Sequence, residues 1–218
     1  MGAGSMSDRA ARSVLVAPER LAGWLDRFAA RHGRVEVAAS ADVVTAHAAD
    51  GSAALCEVPF PPLSPDPADP WQALVDHALV ERRLGLLLVR RGGYAVGIAD
   101  AGTLVTSKVG TRYVQGRTAA GGQSQQRFAR RRENQAAALV GSAVEVAARI
   151  LTAEIKTLFA LVTGGDRPLI ASALAHPRLA ELAALPRGPW LTVADPRLAV
   201  LREAAQSARS VRVTITDG

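Results

Sequence analysis

The chain has 218 residues, 49% of them hydrophobic, 21% charged and 4% aromatic, enough apolar material to bury one large core or two small ones and too much for a disordered chain. Apolar runs such as Leu84 to Val89 stop far short of the roughly 20 residues that cross a bilayer, so no membrane partner is expected. The net charge is +6, yet seven basic residues and no acidic one lie between Asp100 and Glu133. That block alone exceeds the net charge of the whole protein.

The first twelve residues are small and polar and are expected to form a disordered tail or leader without the apolar stretch of a secretory signal. Ser13 to Ala17 has strand character. Pro18 then opens a helix carrying Leu21, Trp24, Leu25 and Phe28 at helical spacing and ending near Gly33. Val35–Ala38, Val43–Ala48 and Ala53–Val58 are separated by polar turns and predict an antiparallel meander. From Pro59 to Pro70 the density of prolines removes too many backbone donors for a helix or a central strand, leaving a linker or a wrapping loop. Trp71 to Arg82 predicts a helix with Leu74, Val75, Ala78 and Leu79 on one face. Residues 13–75 are thus expected to form an N-terminal α/β extension, with residues 76–218 as a second domain.

In that second domain Leu84–Arg90, Tyr94–Ala99 and Thr103–Tyr113 predict three antiparallel strands joined by Gly92-Gly93 and Asp100-Ala101-Gly102. From Arg127 to Leu151 the apolar residues Ala136, Leu139, Val140, Ala143, Val144, Ala147, Ile150 and Leu151 follow the i, i+3, i+4 rule and predict the longest helix. Thr157–Thr163, Trp190–Ala194 and Val211–Thr216 are strand-like, with helices expected over Pro168–His176 and Pro196–Ala208. The Thr163-Gly164-Gly165-Asp166 run lacks a nucleotide-binding pattern and is expected to be a strand-to-helix turn. The fold class is therefore α/β (α+β).

Val114 to Gln126 has three glycines and no apolar periodicity, and a connection of that length without structure of its own is unusual unless it is functional or disordered. At its apex stands Gly121-Gly122-Gln123. Paired glycines let another molecule approach the main chain closely. The glutamine amide has two donors and an acceptor, so it can orient water without acting as a base. The basic residues Lys108, Arg112, Arg117, Arg127, Arg130, Arg131 and Arg132 flank the triplet. Such a block is either a polyanion contact or a solvated helix face.

The run GGQSQQRFARRRENQ settles more than the triplet does. Gly121, Gly122, Gln123, Ser124, Arg127, Phe128, Ala129, Arg130 and Arg132 resemble the GGQS-x-x-RFAR-x-R pattern of the catalytic middle domain of archaeal and eukaryotic class-one peptide release factors. The resemblance extends loosely from Leu84 to Ala208. It implies an RNase H-like mixed sheet with a long helix after the GGQ loop. Nothing before residue 84 resembles the domain that reads stop codons, and no room is expected for a domain that binds a partner GTPase. With its TRYVQGRTAAGGQ approach, the chain is more similar to the Vms-like release-factor (VLRF) family, in its actinobacterial branch.

That resemblance implies a peptidyl-tRNA hydrolase freeing nascent chains on stalled large ribosomal subunits. Gln123, Gly122 and Gly121 would be catalytic. Lys108, Arg112, Arg117, Arg127, Arg130, Arg131 and Arg132 would contact RNA. The implied partners are large-subunit rRNA and peptidyl-tRNA, the enzyme acting as a cytoplasmic monomer. No metal or other cofactor is expected, since Cys56, His32, His47, His77 and His176 lack ligand spacing. Phe128 is expected to pack on its own sheet, and Tyr113 to be either a hinge anchor or an RNA-stacking group. The competing readings are an endonuclease acting at the tRNA 3′ CCA end and a non-catalytic ribosome-binding module. Two-metal RNase H chemistry needs clustered carboxylates, and Leu84–Arg90 has none.

Overall fold

Two separate sets of apolar side chains organise the protein, seen in a computed structural model that describes residues 11–64, 66–111 and 124–218, with side chains in the last stretch from 130 onward. One unit runs to Val80 and takes in Arg209–Gly218; the other is Glu81–Ala208.

In the first unit, β1 (Arg12–Val16) leads through Pro18 into α1 (Pro18–His32), which Gly33 terminates at φ 82°, a conformation that costs glycine little. β2 (Val35–Ala39), β3 (Val43–Ala48) and β4 (Ala53–Glu57) form the expected meander. The proline-rich stretch wraps back onto it. Leu63 and Phe60 are buried, and the Leu63 N–H donates to the Ala41 carbonyl at 2.7 Å. α2 (Pro70–Leu79) starts where the Asp69 carboxylate accepts from the Gln72 N–H at 2.9 Å. Leu74, Val75 and Ala78 are buried as expected, whereas Leu79 is exposed.

The final strand, β10 (Val211–Thr216), corrects the expected domain boundary. It inserts between β1 and β4, giving the antiparallel order β1-β10-β4-β3-β2. The proposed 13–75 and 76–218 division therefore misplaces this strand and cuts α2 in two. Alternation of Val211, Val213 and Ile215 reveals which face of the strand is buried, but not which sheet buries it. In chain order, the second unit is an insertion between α2 and β10.

The second unit begins with β5 (Arg83–Arg90), β6 (Gly93–Asp100) and β7 (Thr103–Thr111), an antiparallel meander. The long α3 (Ser124–Ile150) and a 3-10 turn lead to β8 (Ala160–Gly165), then α4 (Arg167–Leu174), α5 (Ala180–Ala184), β9 (Arg187–Leu191) and α6 (Leu198–Ser207). The order is β7-β6-β5-β8-β9, with β8 parallel to β5 and β9 parallel to β8. This is the RNase H-like arrangement that the resemblance implied.

Every residue from Leu84 to Val89 in the central strand is buried. Its odd-numbered positions Leu87 and Val89 join Val96, Ile98 and Leu161 beneath α3 and α4. On the other face Gly97 leaves space for Leu201 of α6, whose Cδ2 lies 3.1 Å from where a Cβ would stand. β8 begins three residues later than expected because the Thr157 hydroxyl donates to the Glu154 carbonyl at 2.8 Å, closing the 3-10 turn. β9 starts earlier than expected and holds Pro189, which an edge strand tolerates. The Gly165 turn links β8 to α4, with the Asp166 N–H donating to the Val89 carbonyl at 2.7 Å, as a strand-to-helix turn should.

At the far end of the meander Tyr94 pairs with Gly110, and its ring lies across the glycine. Tyr94 Cε1 and Oη would stand 2.6 Å from a Cβ at Gly110. Gly110→Ala should therefore destabilise the fold by about 1–3 kcal/mol through overpacking. In a Tyr94→Ala background that added cost should largely disappear. A denaturant double-mutant cycle checks this, and equal costs in both backgrounds would refute the contact's role.

Cys56 of β4 is almost fully buried, and loss of solvation raises its thiol from an ordinary 9.0 to about 12. Below pH 9 the native thiol is protonated, and between pH 9 and about 12 unfolding gains from thiolate formation, so this residue lowers stability as the solution becomes more alkaline. Iodoacetamide at pH 8 should leave Cys56 unmodified in native protein and alkylate it in denaturant, as intact-mass measurement will show.

Candidate functional site: the base of the GGQ loop

The described structure fixes the two ends of the loop. β7 is an edge strand and ends at Thr111, and α3 begins at Ser124. Gly121, Gly122 and Gln123 lie outside the described residues, as do Arg112, Tyr113 and Arg117. Arg127 and Phe128 belong to the opening turns of α3, and their side chains are likewise outside the description. What can be built is the support on either side of the triplet.

On the β7 side, Lys108 is exposed and pairs with Val96 across the ladder, while Tyr94 over Gly110 packs the strand end against the core beneath α3. Gly110 carried a sequence signal, because glycine inside a strand often marks a close approach. Its partner Tyr94 had no such mark.

The α3 side has two regimes. From Leu139 onward, Leu139, Val140, Ala143, Val144, Val146, Ala147 and Leu151 are buried against the sheet and α4. Residues 130–134, including Arg130, Arg131 and Arg132, are all exposed. At 1.5 Å per residue, the helix carries its start roughly 22 Å along its axis from Leu139. The expected apolar stripe is correct in its second half, with Val146 added, while Ala136 and Ile150 are only half-buried. The buried half anchors the helix, and the opening half presents charge.

Successive helical residues are about 100° apart, so Arg130, Arg131 and Arg132 fan around more than half the circumference of α3. The first turn holds no acidic residue, and Arg127 stands there instead. Cations at a helix N-terminus oppose the macrodipole and cost stability. The same end, with its unpaired backbone N–H groups, attracts anions. Arg127 in the first turn therefore stands where a cation opposes the helix dipole, while Arg130, Arg131 and Arg132 extend the positive charge along the following turns. Lys108 and the three arginines bracket the loop from two different elements.

Among the described residues, no three His, Cys, Asp or Glu side chains form a metal-ligand group. Asp100 and Glu154 both approach Arg83, at 3.2 and 3.6 Å, at the edge of the sheet where β5 begins. No helix among the described residues is long and apolar enough to cross a membrane.

The fold is similar to that in the crystal structure of the archaeal translation termination factor aRF1, with 17% identity over 75% of this chain and 51% of that chain and a TM-score of 0.45. It is also similar to a structure described as an archaeal protein, with 16% identity, 75% and 52% coverage and a TM-score of 0.37. The chain spans about half the length of these solved structures. No curated protein matches it. The family model for the Actinobacteria/chloroflexi VLRF1 release factor matches residues 82–214, a stretch that contains all of the second unit but Glu81, together with the Gly121-Gly122-Gln123 triplet and the basic block. The chain belongs to this VLRF1 release-factor family.

Proposed function

We propose that the protein is a cytoplasmic peptidyl-tRNA hydrolase that frees nascent chains from tRNA on stalled large ribosomal subunits, acting as a monomer. The observation that carries this reading is the run from Gly121 to Arg132 inside a release-factor family match, at the junction of an edge strand and a long, well-anchored helix.

Water must attack the ester joining peptide to tRNA, and negative charge develops on oxygen as the tetrahedral intermediate forms. The Gln123 backbone N–H donates to that oxygen or to the departing ribose oxygen, while the side-chain amide positions the water. Gly121 and Gly122 keep the tip narrow enough for close approach. The protein supplies no acid, base or metal in this scheme. Lys108, Arg112, Arg117, Arg127, Arg130, Arg131 and Arg132 hold RNA phosphates and set the register of the tip.

Purified protein incubated with labelled peptidyl-tRNA on isolated large subunits should release peptide and leave the tRNA CCA end intact. A tRNA shortened at its 3′ end would establish the nuclease reading instead. Gln123→Ala retains the backbone donor and loses the water-positioning amide, so single-turnover release should fall about 100- to 1,000-fold. Gly122→Ala should lose most activity by crowding the tip. Both variants should still bind subunits, and wild-type release by both would remove the loop from catalysis.

Reversing Arg130, Arg131 and Arg132 to Glu should abolish co-sedimentation with large subunits at moderate salt and change the melting temperature little, because exposed charges contribute weakly to stability. Undiminished sedimentation would show that the basic helix is not the docking element.

A further inference from the structure

The N-terminal unit holds a concave surface whose chemistry points to nucleic acid. On α1, Trp24, Phe28 and His32 stand four residues apart and their rings form a continuous stack. The Trp24 and Phe28 centroids are 5.7 Å apart with planes at 11°, and Phe28 and His32 follow at 4.7 Å and 39°. Phe28 is rooted in the core, Trp24 is partly exposed, and the His32 side chain keeps only 11% of its surface exposed. The stack walls a cleft of about 530 Å³, which is also lined by Arg12, Arg27 and Arg31. A cavity of this size lies in the range that holds small planar ligands.

The charge around the cleft is one-sided. Arg12, Arg27 and Arg31 are exposed and, among the described residues, none pairs with a carboxylate. Other cations of the same unit do find partners: Arg209 meets Glu19 at 2.6 Å and Arg212 meets Glu57 at 3.6 Å. Among the described residues, the only carboxylate bonded to the cleft lining is Asp50, which accepts from His32 Nδ1 at 2.8 Å. That hydrogen bond, with one from the Ser52 N–H, holds its carboxyl below the usual range, so Asp50 fixes the ring as a carboxylate. Three guanidinium groups beside an aromatic wall, none in an ion pair, repel one another. An incoming phosphate relieves the repulsion, and a base covers the exposed ring.

We propose that this cleft binds a nucleotide of single-stranded RNA, with the base against Trp24 and the flanking phosphates on Arg27, Arg31 and Arg12. It stands on the N-terminal unit alone and does not depend on the catalytic reading of the loop. Arg27 and Arg31 are one helical turn apart, as are Trp24 and Phe28, so the two stripes run side by side along α1. Phosphate positioning and base stacking thus come from adjacent faces of one rigid element. The cleft adds an RNA contact independent of the basic block on α3.

The test uses the full chain and fluorescein-labelled decauridylate, read by anisotropy. In a background with Arg127, Arg130, Arg131 and Arg132 reversed to Glu, which removes the arginines at the start of α3, binding should persist. Adding Arg27→Glu and Arg31→Glu should weaken it at least tenfold, and the logarithmic salt slope should become shallower by about 1.4, or roughly 0.7 for each lost phosphate contact. Trp24→Leu should weaken binding about fivefold or more without changing the slope, and Trp24→Phe should restore it. Melting curves identify any variant that fails to fold. The proposal is overturned if the α3 background binds no RNA, if the Arg27/Arg31 variant matches its parent, or if inorganic polyphosphate of equal charge binds as tightly, which would reduce the cleft to an anion patch.

Discussion

A strand buried on both faces must be covered on both faces, and β5 imposes that requirement on the whole second unit. Its unbroken apolar run leaves no side that water can occupy, so α3 and α4 are drawn to one face and α6 to the other. The position of α3 follows from this. Leu139 to Leu151 belong to the core that β5 demands, and their packing fixes the helix axis from its C-terminal half. Residues 130–134, nearer its start, are exposed and lie outside that core. Their composition can be set by whatever the helix meets outside the protein.

That division bears on the proposed ester hydrolysis, which asks for no acid or base from the loop. In the proposed reaction the rate comes from where an amide and a water are held, so the support matters as much as the triplet. β7, with the Tyr94 ring over Gly110, holds one end of the connection, and a helix fixed by its distant half holds the other. In the proposed reaction the arginines in the opening turns of α3 serve approach, attracting and orienting the RNA.

Periodicity made most elements of both units legible, because each buries one regular stripe or one alternating face. α1, the two meanders and the anchored half of α3 all follow that rule. What escaped was long-range pairing. β10 alternates as any half-buried strand does, and nothing in Val211–Thr216 says that its neighbours are Arg12–Val16 and Ala53–Glu57. Turn chemistry also moved boundaries, since Thr157 closes a 3-10 turn where its β-branched side chain suggested a strand. The chemistry of the loop came through motif resemblance, while its support by Tyr94 needed the structure. Trp24 and Phe28 read simply as core from their spacing. The binding role proposed for that face rests on the arginines that line the cleft beside them.

The place of β10 also bears on the order in which the chain acquires its structure. The first sheet has a gap between β1 and β4 that only the last strand fills, so residues 12–57 cannot complete their hydrogen-bond ladder as they are synthesised. The intervening chain is about 150 residues, which takes roughly 8 to 30 s at typical elongation rates of about 5–20 residues per second. The inserted unit, with its contacts contained between Glu81 and Ala208, is complete in sequence before that gap can close. The first unit, begun before the inserted unit, is therefore completed after it, and its unpaired strand edges are open to chaperones or to mispairing throughout that interval.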